Sequence, residues 1–375
     1  VYLPRSSAAR ISCEIIYQGQ RMAVLENEQI AVTLLLDQGG SIVEFRYKPL
    51  DVDVMYRAPW GMRTWGKWVP TTSNPRGNWT DHYPGGWQVI FPAGSMASTY
   101  KGAEQGMHGE ASLMAWEYEV LLDTPDEVAM LMRVETQRLP FRMERELRLK
   151  RGSGTLQIRE TVENVSPVEV HCMWGQHPAI GEPFLGPGLE LHLPPCRITR
   201  SAGGEDLPGR VVPGTSGEWP YLPGREGQPV DLRRMPPREQ LAADMLFAAE
   251  LEEGWVAACN PQLGMGFGIS WPLEVWPHLW IWQEFGGTTG APWFGRAYTM
   301  GIEPFSSIPG PDLPGLAGAV ANGTAMLFAP FEKKSITFNT VAFAYEGKLQ
   351  RITPDGEVQW QECAKANDWL PRSPK

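Results

Sequence analysis

The stretch from Phe141 to Val165 constrains the fold more than any other part of the chain. Apolar Phe141, Met143, Leu147 and Leu149 interleave with charged Arg142, Glu144, Arg148 and Lys150. After Gly152-Ser153-Gly154 come Leu156, Ile158, Thr161 and Val162, interleaved with Gln157, Arg159, Glu160 and Glu163. Successive side chains of an extended strand point to opposite faces, so a period of two buries one face and wets the other. The glycine-rich turn folds the two runs into an antiparallel hairpin. A sheet with one apolar face needs a second layer to cover it.

The same grammar recurs along the chain. Ile30 to Leu36 stops at Asp37-Gln38-Gly39-Gly40, and Ser41 to Tyr47 returns as its hairpin partner. Trp116 to Leu122 reaches a turn at Asp123-Thr124-Pro125-Asp126, and Val128 to Gln137 follows. Thr324 to Leu327 and Ser335 to Ala344 give two further strands. Forty glycines and 34 prolines punctuate these short runs, and long helical periodicity is scarce. Strands of this kind, bounded by turn residues, predict an all-β chain built as one large antiparallel β-sandwich. Two segments differ. Residues 201–240, rich in Gly, Pro and Arg, predict a surface excursion, and the Ala-, Leu- and Glu-rich run from Arg238 to Leu251 predicts a short helix. With no repeat and no linker between two self-sufficient cores, residues 1–375 are expected to form a single domain.

Charge narrows the partners. Lys and Arg number 33 against 43 Asp and Glu, giving a formal net charge of −10. Nucleic acid and anionic membrane surfaces both demand a basic face that this balance does not supply. A small uncharged substrate suits it better. No apolar run approaches the roughly 20 residues of a membrane span, and the opening Val1-Tyr2-Leu3-Pro4-Arg5-Ser6 lacks the apolar region of a signal peptide. The cysteines, at 13, 172, 196, 259 and 363, are odd in number and show no CxxC spacing. They are expected to be isolated, mostly buried thiols in a reducing compartment, and the chain to be cytoplasmic.

A few residues stand out chemically. His108 lies in Gly106-Met107-His108-Gly109-Glu110, His177 in Trp174-Gly175-Gln176-His177-Pro178, and His82 in Asp81-His82-Tyr83-Pro84. Glycine or proline neighbours put each at a loop or strand end, where functional groups concentrate, although any one alone also fits a plain turn histidine. Glu303, between Ile302 and Pro304, is a carboxyl expected to be partly desolvated, with a raised pKa suited to a base near neutrality. Tryptophans cluster twice, at 60, 65, 68, 79 and 87 and at 271, 276, 280, 282 and 293. Aromatic faces pack on the apolar faces of sugar rings, though most of these fit ordinary core packing equally well. There is no GxGxxG followed by a helix, no Walker A and no HExxH pattern, and without a GxSxG elbow a Ser/His/Asp triad is unsupported. Asp81, His82, His108 and Glu110 are metal-capable, but their spacing matches no ligand rule, and no metal is expected.

Taken in order, these motifs resemble the aldose 1-epimerase (galactose mutarotase) family. The resemblance runs through Gly39-Gly40, the segment Gly86-Trp87-Gln88-Val89-Ile90-Phe91-Pro92, His108-Gly109 followed by Trp116, and Asn164-Val165-Ser166. It continues through Gly175-Gln176-His177-Pro178, Ile302-Glu303-Pro304, Pro314-Gly315-Leu316 and Leu327 to Glu332. It implies a galactose mutarotase-like sandwich and an isomerase that interconverts sugar anomers without a cofactor. Glu303 would be the base at the anomeric hydroxyl and His177 the acid at the ring oxygen, on opposite sides of a small ring. His108 would hold the sugar. Arg63 or Arg76 would match the family's arginine near the cleft entrance. Glu284 is the nearest counterpart of its sugar-binding aspartate, and Trp87 or Trp282 would line the cleft. The alternative from another class is a noncatalytic carbohydrate-binding protein or sugar sensor on the same fold.

Overall fold

A computed structural model describes residues 8–64, 72–203, 208–310 and 313–361. Two large sheets dominate it, and every pairing within them is antiparallel. The twelve-stranded sheet begins at Arg10–Tyr17 and runs through Gln20–Glu26, Ile30–Leu35 and Ser41–Tyr47 to Trp87–Ile90. It continues through Gly175–Gly181, Tyr298–Phe305, His278–Phe285, Ala242–Ala249 and Arg197–Arg200 to Ser216–Glu218, and the twelfth strand, Val52–Asp53, pairs with Ser41–Tyr47 off this path. The eight-stranded sheet has Lys333–Ala344 near its middle, flanked by Met265–Ser270 on one side and Thr155–Asn164 on the other.

The hairpin anticipated at 141–165 forms, with Phe141–Lys150 paired to Thr155–Asn164 in a register from Phe141 opposite Asn164 to Leu149 opposite Leu156. Its inner face buries Phe141, Met143, Leu147, Leu149, Leu156, Ile158 and Val162 completely. Such side chains contribute about 1.5–3 kcal/mol each when fully buried. The two sheets meet through contacts such as Phe45 on Phe267, edge to face with ring centroids 5.2 Å apart, and Trp87 on Phe338. The hairpins at 30–47 and 117–135 and the strands near 326–344 also form.

Three local readings change. Glu160 belongs to the buried face and Thr161 to the outer one, because strict alternation from Ile158 turns residue 160 inward. There its carboxylate meets fully buried Arg145 at 3.4 Å and accepts hydrogen bonds from Trp174 Nε1 and Gln176 Nε2. The run expected to be helical instead contains the strand Ala242–Ala249, hydrogen-bonded between His278–Phe285 and Arg197–Arg200. With both faces covered it has no polar side to display, and pairing on both edges overrides its helix propensity. Residues 208–240 form more than a surface excursion: Ser216–Glu218 adds the sheet's edge strand, and Val211, Leu222 and Leu232 are buried in the main core. Among the described residues the α-helices are Pro75–Thr80 and Gly315–Ala321, and none is long and apolar enough to cross a membrane. Cys172, Cys196 and Cys259 are buried free thiols and Cys13 is half-buried. Cys363, Trp65 and Trp68 lie outside the described residues.

Candidate functional site

Sheet register assembles the site. Gly175 lies opposite Phe305 and Ala179 opposite Gly301, which brings His177 level with Glu303 on the neighbouring strand. Glu303 in turn faces Trp280, and Gly301 faces Trp282. One strand further, Phe247 pairs with Trp280 and Met245 with Trp282. Alternation turns these side chains to one face of the sheet and sends Gln176, Ile302, Ile281 and Leu246 to the other, against the second sheet or the core. His177, Glu303, Trp280, Trp282, Met245 and Phe247 thereby floor a cleft of about 390 Å³.

Two loop elements close over this floor. The helix Pro75–Thr80 starts on an Asn74 cap, whose side chain accepts from the Arg76 N–H at 2.9 Å, with proline in its first turn. It contributes Arg76, Trp79 and Thr80 to the cleft. The turn before Gly109 contributes His108, held at a φ of 59° in the left-handed region. Such a conformation is uncommon outside glycine and is found where surrounding structure fixes it. Gly109 is required beside it, because a Cβ there would press on the Phe91 carbonyl. Trp79 lies edge-on to both imidazoles, with centroids 4.5 Å from His108 and 5.4 Å from His177, and Tyr83 stacks on Trp79 at 4.4 Å.

The polar groups are close together and dry. His177 Nε2 lies 3.6 Å from Glu303 Oε1, and the two imidazole centroids are 5.4 Å apart. Glu303 is 1% exposed, His177 3% and His108 6%. Burial lifts the Glu303 carboxyl well above the usual carboxylate range. Burial also pushes His177 down to about 4 and, with the nearby His177 and Arg76, takes His108 well below the ordinary histidine value. Both shifts favour the uncharged forms, a protonated carboxyl beside a neutral imidazole, because burial penalises charge on either group. Glu303 Oε2, the Nδ1 atoms of His177 and His108, and the Tyr83 hydroxyl have no hydrogen-bond partner. Each such buried group costs about 1–3 kcal/mol, and clusters of them are characteristic of sites that bind polar ligands.

Of the residues anticipated from sequence, Glu303, His177, His108, Trp282 and Arg76 share this cleft. The others lie elsewhere. Trp87 is fully buried between the sheets, where its Nε1 donates to Gln176 Oε1 at 2.9 Å. Glu284 sits outside the cleft lining and accepts from the backbone N–H and hydroxyl of Thr288. Arg63 donates from Nε to the Asp81 carbonyl and borders a neighbouring pocket that shares Arg76 and Thr80 with the cleft. The metal-capable quartet is dispersed, with His82 Nδ1 on the Asn78 carbonyl and the Glu110 carboxylate on the N–H groups of Gln137 and Arg138. Among the described residues no three His, Cys, Asp or Glu side chains are gathered as a metal site.

Several contributors escaped the sequence reading, Trp280, Trp293, Met245 and Phe247 among them. Trp79, not Trp87, walls the cleft from the first tryptophan run, and the Asn74-Pro75 helix start was the signal that could have separated them. Tyr83 stands 5.6 Å from His177, centroid to centroid. Gly301 leaves room for the carboxyl two residues on, since a Cβ there would overlap Glu303 Oε1.

No protein-family model and no curated protein matches the sequence. Solved structures do match the fold. The chain is similar to a putative aldose 1-epimerase from Klebsiella pneumoniae, with a TM-score of 0.65 and 15% identity over 90% of this chain and 83% of that one. It is also similar to a galactose mutarotase-like protein from Clostridium acetobutylicum, with a TM-score of 0.58 and 14% identity over 90% of this chain and 99% of that one. A putative aldose 1-epimerase from Escherichia coli K12 gives a TM-score of 0.57 and 16% identity over 86% and 98% of the two chains. The fold is thus the galactose mutarotase-like β-sandwich.

Proposed function

We propose that the cleft interconverts the anomers of a small uncharged sugar by acid–base ring opening. The observation that carries this reading is the His177–Glu303 pair, 3.6 Å apart and dry. Mutarotation requires the anomeric hydroxyl to lose a proton and the ring oxygen to gain one as the bond between C1 and O5 breaks. Those two oxygens share the carbon C1, so acid and base must stand close together. The pair is too close to hold a ring between its members, as the sequence had suggested, and suits both groups reaching one edge of the ring.

The proton count is consistent. Burial favours the uncharged pair, with the proton on Glu303; sugar hydroxyls that hydrogen-bond the ionised form favour its transfer to His177. Glu303 then takes the proton of the anomeric hydroxyl and His177 gives its own to the ring oxygen. C1 becomes an aldehyde, rotates about its bond to C2, and the reverse steps close the ring on the other face. His108 and Arg76 hold hydroxyls, and Trp79, Trp282 and Trp293 supply apolar walls. We further read residues 1–375 as one domain, since one continuous core takes in residues from Ala9 to Ala342. The four unpaired described thiols are in keeping with the cytoplasm.

The test is NMR exchange between α and β anomers across a sugar panel. Protein-dependent exchange that saturates with sugar is expected. Saturable binding without faster exchange would instead make this a sugar-binding protein.

A further inference from the structure

A second cavity, of about 590 Å³, borders the wall that carries His108 and Trp79. The helix Pro75–Thr80 serves both spaces, giving Trp79 to the cleft and Asn78 to this cavity, while Met107 touches both. The cavity's lining otherwise comes from the hairpin Ser98–Tyr100/Ala103–Gln105 and the loop segments after it, none of which takes part in the acid–base pair.

Gln105 is the informative residue. It ends the hairpin opposite Ser98, is 2% exposed, and neither its amide oxygen nor its amide nitrogen has a hydrogen-bond partner. A buried amide is seldom left with both ends unmet unless a ligand or water meets them. A primary amide presents a donor and an acceptor side by side, which complements the hydroxyls of a sugar, each able both to give and to accept. Asn78, Ser98 and Thr99 add short neutral polar groups around it, and Leu113 and Met114 add an apolar patch. That combination fits a pyranose, which has hydroxyls at its rim and C–H groups on its faces.

Charge excludes the acidic alternatives. Two carboxylates, Glu104 and Glu110, face one cation, Arg138. The Glu110 carboxylate is already held by backbone N–H groups. A phosphate or uronate would enter against a net negative lining.

We propose that this cavity is a second carbohydrate site, binding one neutral pyranose unit through Gln105, separate from the cleft. It stands independently of whether the cleft opens rings. The test is titration calorimetry of the full chain with methyl glucoside, galactoside and mannoside, which cannot open, alongside tryptophan fluorescence. Tryptophans line the cleft and not the second cavity, so fluorescence reports mainly the cleft.

Two binding events are expected with at least one of these sugars, only one of them strongly seen by fluorescence. Gln105→Ala should weaken the other event about tenfold or more, with anomer exchange unchanged. Thr99→Trp, at the exposed mouth of the cavity, should block the same event without altering the buried amide. A single event with every sugar overturns the proposal. So does retention of both events at full strength in both variants, or loss of the fluorescent event alone. Absence of anomer exchange with two binding events intact would refute the cleft chemistry and leave this site standing.

Discussion

Gly301→Ala isolates the position of one carboxyl from its chemistry. The neighbours a Cβ at 301 would meet are the Oε1, Cδ and Cγ atoms of Glu303, all belonging to a movable side chain and none to backbone. The alanine can therefore be accommodated if the carboxyl retreats. Restoring ordinary van der Waals distance requires a shift of about 1 Å, and a misplacement of that size can cost about 10²-fold in rate. The barrier should rise by about 1.4–2.7 kcal/mol, a ten- to hundredfold fall in kcat. Stability should change little, because Gly→Ala typically gains about 0.4–1 kcal/mol through the unfolded chain and the crowding offsets part of that. The assay is anomer-exchange kinetics with a parallel thermal melt, on Gly301→Ala, Glu303→Gln and the double variant. If alanine acts only by moving Glu303, the double variant will be no slower than Glu303→Gln alone. Full turnover in a folded Gly301→Ala, or strictly additive losses in the double variant, would refute this reasoning.

Other outcomes follow from the same geometry. Turnover should trace a bell against pH, since the pair must hold one proton. On the acid side His177 gains a second proton near its depressed value of about 4, and on the alkaline side Glu303 loses the last one above the normal carboxylate range. Tyr83, His108 and Arg76 face the pair, and an unshifted bell in Tyr83→Phe would show that the phenol does not set either limb. His177→Asn should lower kcat about 10²-fold or more, whereas His108→Asn should mainly raise KM; steady-state kinetics on the two separates these roles. Glu160→Ala should destabilise the fold by about 3–5 kcal/mol, because it strands the buried Arg145 charge, and urea unfolding measures it.

Much of the architecture was legible because a half-buried strand writes its two faces into the sequence. Phe141 to Asn164 carries that pattern and folds as it implies. The pattern fails where both faces are buried. Ala242–Ala249 displays no polar side, so its apolar run is indistinguishable from helix until its neighbours are known. Polar residues inside the sandwich mislead in the opposite direction: Glu160 looked solvated and is fully buried with Arg145. In the site, His177 and Glu303 were recognisable from their motifs, although their approach to 3.6 Å depends on register between strands 126 positions apart, by the difference of their residue numbers. Trp87 and Trp79 illustrate what local sequence withholds. The first is on a strand whose parity turns it inward, and the second is on a short helix folded over the cleft. The Asn74-Pro75 helix start is the one local sign that sets Trp79 apart, and it says nothing of which way Trp87 turns.

The most direct test of the central claim is magnetisation exchange between the α and β anomers of the best-bound sugar, comparing wild type with Glu303→Gln at matched occupancy. An amide keeps the shape and can still hydrogen-bond the sugar, so binding should persist while exchange falls about 10²-fold or more. Undiminished exchange in Glu303→Gln would contradict the account and remove the His177–Glu303 pair from the chemistry.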